Sequence, residues 1–198
     1  PSHLSFAEAA AYQVAYLTAY VALVRRGNLQ AGETLLVHGA SGGVGMAAVD
    51  IGKLLGATVI ATGGSDAKLQ RVLAYGADHV INTGHGFREQ VKALTGGRGA
   101  DVIYDPVGGD IFDESTRCIN FDGRLLIIGF TSGRIASIPT NIPLIKGFSV
   151  MGVRAGEYGR QFPEKGAENL QIIWDWVREE KTRPHVHAEL PLSQSVEG

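Results

Sequence analysis

From residue 39 to residue 45 the chain reads Gly39-Ala40-Ser41-Gly42-Gly43-Val44-Gly45. An apolar run, Thr34 to His38, precedes this loop, and a stretch with helical spacing, Val44 to Leu55, follows it. A strand that feeds a glycine loop into a helix N-terminus points unpaired backbone N–H groups at one spot. That spot suits a diphosphate. Gly42 lets the backbone approach the phosphates, and Gly45 lets helix and strand pack closely. The usual spacing is G-x-G-x-x-G; here Ala40 holds its first position and Gly39 stands before it. The competing reading is a tight turn whose glycines serve conformation alone.

The sugar attached to such a diphosphate is read at the end of the next strand. An Asp or Glu about 20 residues past the loop binds a ribose 2′-hydroxyl and repels a 2′-phosphate. That place falls at Thr62-Gly63-Gly64-Ser65, which holds no acid. Gly63 leaves room, Ser65 can donate a hydrogen bond, and Lys68 brings a positive charge one turn on. Asp66 argues the other way, but its expected task is to cap the next helix. The expected cofactor is NADPH rather than NADH.

Other reactive side chains are few. Cys118 is the single cysteine, which excludes an intrachain disulfide and a cysteine-rich zinc site. It falls inside an expected helix, Asp110 to Asn120, as a packed residue. His185-Val186-His187 would share one side of a strand, but no third metal ligand stands nearby, so a surface strand is expected. His38 lies under the glycine loop as a structural hydrogen-bonding group.

The elements that must position these residues alternate. Apolar runs at 34–38, 58–62, 79–82, 101–105, 124–128 and 149–153 read as strands. Helical patterns fall between them at 44–55, 66–75, 87–94 and 110–120, with a last one at 164–180. Ser5 and Glu8 form a capping-box pattern for a first helix running to Arg26, with Gly27 as its stop. Strands and helices in alternation give a parallel sheet covered on both faces, an α/β doubly wound fold. Such a sheet binds ligands at the carboxyl ends of its strands, where strand order reverses. The first helix precedes strand one and the tail stops where another element is due, so the 198 residues are expected to be an excerpt of a longer chain.

Composition narrows the function. The charge balance is −2, from 18 basic and 20 acidic side chains, which argues against nucleic-acid and membrane-surface binding. Apolar residues make up 44% of the chain, so disorder is excluded. The 27 glycines follow no fixed period, so neither collagen nor a repeat array is indicated.

Several motifs in order resemble the medium-chain dehydrogenase/reductase superfamily, in its zinc-independent NADPH:quinone oxidoreductase group. They are Tyr16 to Tyr20, Gln30 to Gly45, Gly76 to Asn82, Tyr104 to Asp110, and Gly123 to Gly133. The resemblance implies a Rossmann fold with strand order 3-2-1-4-5-6. It implies that residues 1–198 are the NADP-binding domain of a two-domain reductase, with a GroES-like N-terminal domain and a C-terminal end outside the chain. Zinc-dependent relatives carry a Cys ligand four residues before the threonine of the nicotinamide site; that position is Val14 here, which cannot ligate zinc.

Carried onto this sequence, the resemblance places Thr18 near the nicotinamide end. It places Ser41, Gly42, Gly43, Val44 and Gly45 around the diphosphate, and Ser65 and Lys68 on the 2′-phosphate. Val107 and Gly108 would border the adenosine or its ribose, and Phe130 and Thr131 the nicotinamide ribose. Relatives often have Tyr after the Asn of the third-strand motif; here it is Thr83. No catalytic side chain is assigned, because the cofactor carries the hydride. The acceptor would be a quinone, an enone or an enoyl thioester, its pocket floored by Ser149 to Tyr158. Alternatives are an enoyl-reductase module of a multidomain synthase, a non-catalytic NADPH-binding protein and, least, a methyltransferase. The remaining expectations are a cytoplasmic location and a homodimer formed through an edge strand at Gly147 to Val153.

Overall fold

The computed structural model describes residues 3–194 and residue 196. Six parallel strands form one sheet: β1 (Thr34–Val37), β2 (Thr58–Gly63), β3 (His79–Asn82), β4 (Ala100–Asp105), β5 (Ile119–Ile127) and β6 (Ser149–Gly152). Their order is β3-β2-β1-β4-β5-β6, the doubly wound arrangement expected from the alternation. Order reverses between β1 and β4, so a crevice opens at their carboxyl ends. Among the described residues β6 pairs only with β5 and forms one edge.

The strands are apolar throughout because both faces are covered, and successive residues serve different faces. Leu35, Val37, Val59, Ala61, Val102, Tyr104 and Leu126 enter one core. Leu36, Ile60, Ile103 and Leu125 enter the other. The first core is closed by α1 (Phe6–Tyr20), α2 (Gly43–Leu54), α3 (Asp66–Tyr75) and α8 (Pro163–Arg178). The second is closed by α4 (Arg88–Leu94) and α5 (Gly109–Ser115). The short helices α6 (Asn141–Lys146) and α7 (Ala155–Gln161) flank β6 in sequence. Among the described residues no helix is long and apolar enough to cross a membrane.

α1 starts as its capping box requires. Ser5 Oγ accepts from Glu8 N–H at 3.2 Å, and Glu8 Oε2 accepts from Ser5 N–H at 2.8 Å. The helix does not run unchanged to Arg26: from Val21 to Arg26 it widens into a π-helix, closed at Gly27. Arg25 ties this stretch to α8 through Glu168 and Asn169, both at 2.7 Å.

Three local expectations are corrected. The helix foreseen over 110–120 ends at Ser115, and β5 begins at Ile119. Arg117 and Cys118 close a turn onto Glu114 and Ser115 instead, so Cys118 is buried in a turn and not in a helix. Asp66 is the first residue of α3 and not its cap: Ser65 is the cap by position, without a capping side-chain bond. Residues 183–190 form no strand; side chains of α1, α2 and α3 tie the tail down at Thr182 and Arg183 instead.

Candidate nucleotide site

The glycine loop turns at the carboxyl end of β1. Gly39 sits at φ +56°, a conformation that favours glycine. Gly42 is the N-cap of α2 and brings no side chain to it. The first helical bond runs from Met46 N–H to Gly42 C=O at 2.8 Å. The amides of Gly43, Val44 and Gly45 precede it and have no carbonyl partner within the helix. A Cβ on Gly43 would meet nothing within 4 Å, whereas one on Gly45 would stand 2.4 Å from Gly39 O. The loop is therefore open where a ligand would lie and closed where α2 meets β1.

Beside it a pocket of about 270 Å³ opens between the starts of α2 and α3. Ser41, Gly42, Gly43 and Met46 line one side, Lys68, Arg71 and Val72 another, and His185 and His187 the third. Four residues expected from sequence, Ser41, Gly42, Gly43 and Lys68, thus share one cavity. Sequence reasoning misses Arg71, although it stands three residues beyond Lys68 on the same helix. It also leaves both histidines on a surface strand, since nothing local in sequence links them to a loop so far upstream.

A second group gathers at the neighbouring strand ends. Asp105 Oδ1 accepts from the N–H groups of Val107 and Gly108 at 2.8 and 2.9 Å. Burial pushes the Asp105 carboxyl above the usual carboxylate range, against the pull of those two amides. Pro106 O accepts from Thr131 N–H at 3.1 Å, and Val107 O from Ser132 N–H at 3.0 Å. The loops after β4 and β5 are stitched together in this way, with Val107, Gly108, Phe130 and Thr131 in one patch. A Cβ on Gly108 would lie 3.2 Å from Phe130, and one on Gly39 3.3 Å from Val107. The patch therefore adjoins the glycine loop.

Ser65 and Thr18 lie outside the pocket. Ser65 O accepts from Leu69 N–H at 2.9 Å, at the head of α3. Thr18 stands in the last turn of α1, its hydroxyl donating to Val14 O at 2.8 Å. Thr83 donates to Gly63 O at 3.4 Å, and Asn82 Nδ2 to Asp66 at 2.6 Å, which joins β3 to the end of β2. His38 is fully buried between Thr62 Oγ1 at 2.7 Å and Ser115 Oγ at 2.8 Å. Burial pushes its imidazole down to about 3, so it is neutral and structural. Among the described residues no group of three or more His, Cys, Asp or Glu is placed to hold a metal.

Residues 43–172 match the family described as zinc-binding dehydrogenase. The chain belongs to that family. Within the medium-chain dehydrogenase/reductases it stands with the quinone oxidoreductases. It is 40% identical over 196 residues to quinone oxidoreductase-like protein 2 of Bos taurus, covering 98% of this chain and 56% of that one. Among solved structures, a quinone oxidoreductase of Thermus thermophilus, also determined in complex with NADPH, superposes with a TM-score of 0.84 at 32% identity. That likeness covers 94% of this chain and 58% of the other. CurK enoyl reductase superposes with a TM-score of 0.88 at 27% identity, over 98% and 58% of the two chains. The chain spans little more than half the length of these relatives.

Proposed function

We propose that this chain is the NADPH-binding domain of a two-domain reductase that passes a hydride to a quinone, an enone or an enoyl thioester. The observation that carries the reading is the loop of free amides at the head of α2, with Lys68 and Arg71 beside it. These residues fit the group: an open cradle at Gly43, no side-chain cap, and two cations at the adenosine end. Relatives named as quinone oxidoreductases, one of them solved with NADPH, support it.

In this reading the amides of Gly43 to Gly45, with Ser41 and Gly42 lining the loop, hold the diphosphate against the positive end of the helix dipole; the Gly42 N–H itself donates to Gly39 O at 3.0 Å. Lys68 and Ser65 hold the 2′-phosphate. Val107 and Gly108 border the adenosine ribose; Phe130 and Thr131 approach the nicotinamide ribose, with Thr18 toward the ring. The bound cofactor supplies the hydride, and this chain supplies position and electrostatics. The acceptor lies between this domain and a second one, with Ser149 to Tyr158 in its floor. Pairing of β6 with its counterpart in a second copy would make the homodimer, because an unpaired strand edge offers free N–H and C=O groups.

Two measurements test the proposal. NADPH and NADH are titrated into the protein, and NADPH oxidation by the full-length protein is followed with a quinone and with an enoyl thioester. Preferential NADPH binding with oxidation by either acceptor is expected. Equal or absent binding refutes the cofactor assignment, and binding without turnover marks a non-catalytic NADPH-binding protein. The likeness to CurK enoyl reductase favours the thioester as a second reading, and the same assay separates the two acceptors.

A further inference from the structure

We infer that His185 and His187, beyond α8, complete the phosphate-binding wall with Lys68 and Arg71 and so help select the phosphorylated nucleotide. The inference rests on the NADPH reading above.

The pocket gathers four nitrogen bases from two distant parts of the chain, and no carboxylate lines it. Among the described residues, Lys68, Arg71, His185 and His187 form no ion pair with an acidic side chain. Arg134, by contrast, bridges Asp110 and Asp113, and Arg183 pairs with Glu8 at 2.6 Å. A phosphate entering the pocket can accept from each of its four basic groups. The imidazole centroids are 6.4 Å apart, so both rings can reach oxygens of one phosphate group.

The tail is fixed just before the histidines by hydrogen bonds from α1, α2 and α3, of which the Thr182–Tyr12 bond is buried. Asp50 Oδ2 accepts from Tyr16 Oη–H at 2.5 Å and from Arg183 N–H at 3.2 Å. Tyr75 Oη–H donates to Arg183 O, and Thr182 is bonded to Tyr12. Arg183 Nε–H closes the latch on Glu8 Oε1 at 2.6 Å. Tyr75 and Asp50 are thus positioning residues: they hold the irregular segment that carries His185 and His187 to the pocket.

Imidazole side chains as a class gain a proton as pH falls through the neutral range, whereas ammonium and guanidinium side chains keep theirs. Facing the histidines are Lys68 and Arg71 from α3 and the neutral glycine loop; their own segment carries Arg183, engaged with Glu8, and Glu189. A phosphate monoester keeps most of its second charge above about pH 6. NADPH and NADH are therefore titrated into the wild type and into a His185→Gln/His187→Gln variant at about pH 6.5 and about pH 8.5. The variant is expected to lose about fivefold in NADPH affinity at the lower pH and less than about twofold at the higher, with NADH unchanged. Tyr75→Phe, which frees Arg183 O, is expected to reproduce part of that pH-dependent loss. A wild type that prefers NADPH and a variant that matches it at both pH values overturn the histidine assignment alone. A wild type that shows no preference for NADPH overturns the cofactor reading, and this inference with it.

Discussion

Replacing Gly45 by alanine tests the loop most sharply. The added methyl would stand 2.4 Å from Gly39 O, 2.7 Å from Ala40 Cα and 2.9 Å from Ala40 C. All three are backbone atoms and cannot rotate away. Bringing the 2.4 Å approach to ordinary contact requires the head of α2 to retreat by about 1 Å. Overpacking of this kind costs about 1–3 kcal/mol of stability. The same shift stretches two or more amide–phosphate bonds beyond useful length, so NADPH affinity should fall by about 100-fold. Gly43→Ala is the matched control. Its methyl would meet no atom within 4 Å. It should raise stability by about 0.5–1 kcal/mol through helix propensity, yet weaken NADPH binding because it projects into the pocket. Urea unfolding and calorimetric titration of both variants read the two quantities separately. A Gly45→Ala protein with wild-type stability, or a Gly43→Ala protein with wild-type NADPH affinity, would refute the reasoning.

Other outcomes follow from single side chains. Lys68→Ala should lower the NADPH-to-NADH affinity ratio by about tenfold, read by titration, and leave NADH binding unchanged. His38 has a folded pKa of about 3 against an ordinary value of 6.5. Its contribution is complete above pH 6.5 and is lost as pH falls toward 3, on the order of 5 kcal/mol across the window. Denaturant unfolding of His38→Gln should show a flatter pH dependence there, and an unchanged slope would count against the buried neutral imidazole. Tyr104 Oη is buried without a hydrogen-bond partner among the described residues. Tyr104→Phe should therefore stabilise the protein by about 1 kcal/mol in thermal unfolding, and a loss of similar size would contradict that.

Much of this architecture was legible because it rests on local patterns. Strands buried on both faces must be apolar throughout, and glycines such as Gly56 and Gly76, at φ +81° and +133°, end helices where the pattern places them. The start of β5 was not legible. The sequence reading ends a helix at Asn120 and starts the strand at Arg124, whereas the ladder to β4 begins at Ile119 and shifts register before Arg124, with Asp122 at φ +60°. The helices α6 and α7 are too short for periodicity to register. At the site, the glycine loop and Lys68 could be found from spacing because strand, loop and helix are contiguous. The third wall could not. His185 and His187 reach the pocket through bonds between Arg183 and residues as distant as Glu8, Asp50 and Tyr75, which no local pattern encodes.

The central claim is that the amides of Gly43 to Gly45 hold a nucleotide diphosphate while Lys68 meets the phosphorylated ribose. A crystal structure of the protein grown with NADPH tests it directly. The account predicts diphosphate oxygens within hydrogen-bonding distance of the N–H groups at the head of α2, and the 2′-phosphate beside Lys68. A diphosphate bound elsewhere, or a loop that stays empty at saturating NADPH, would contradict it.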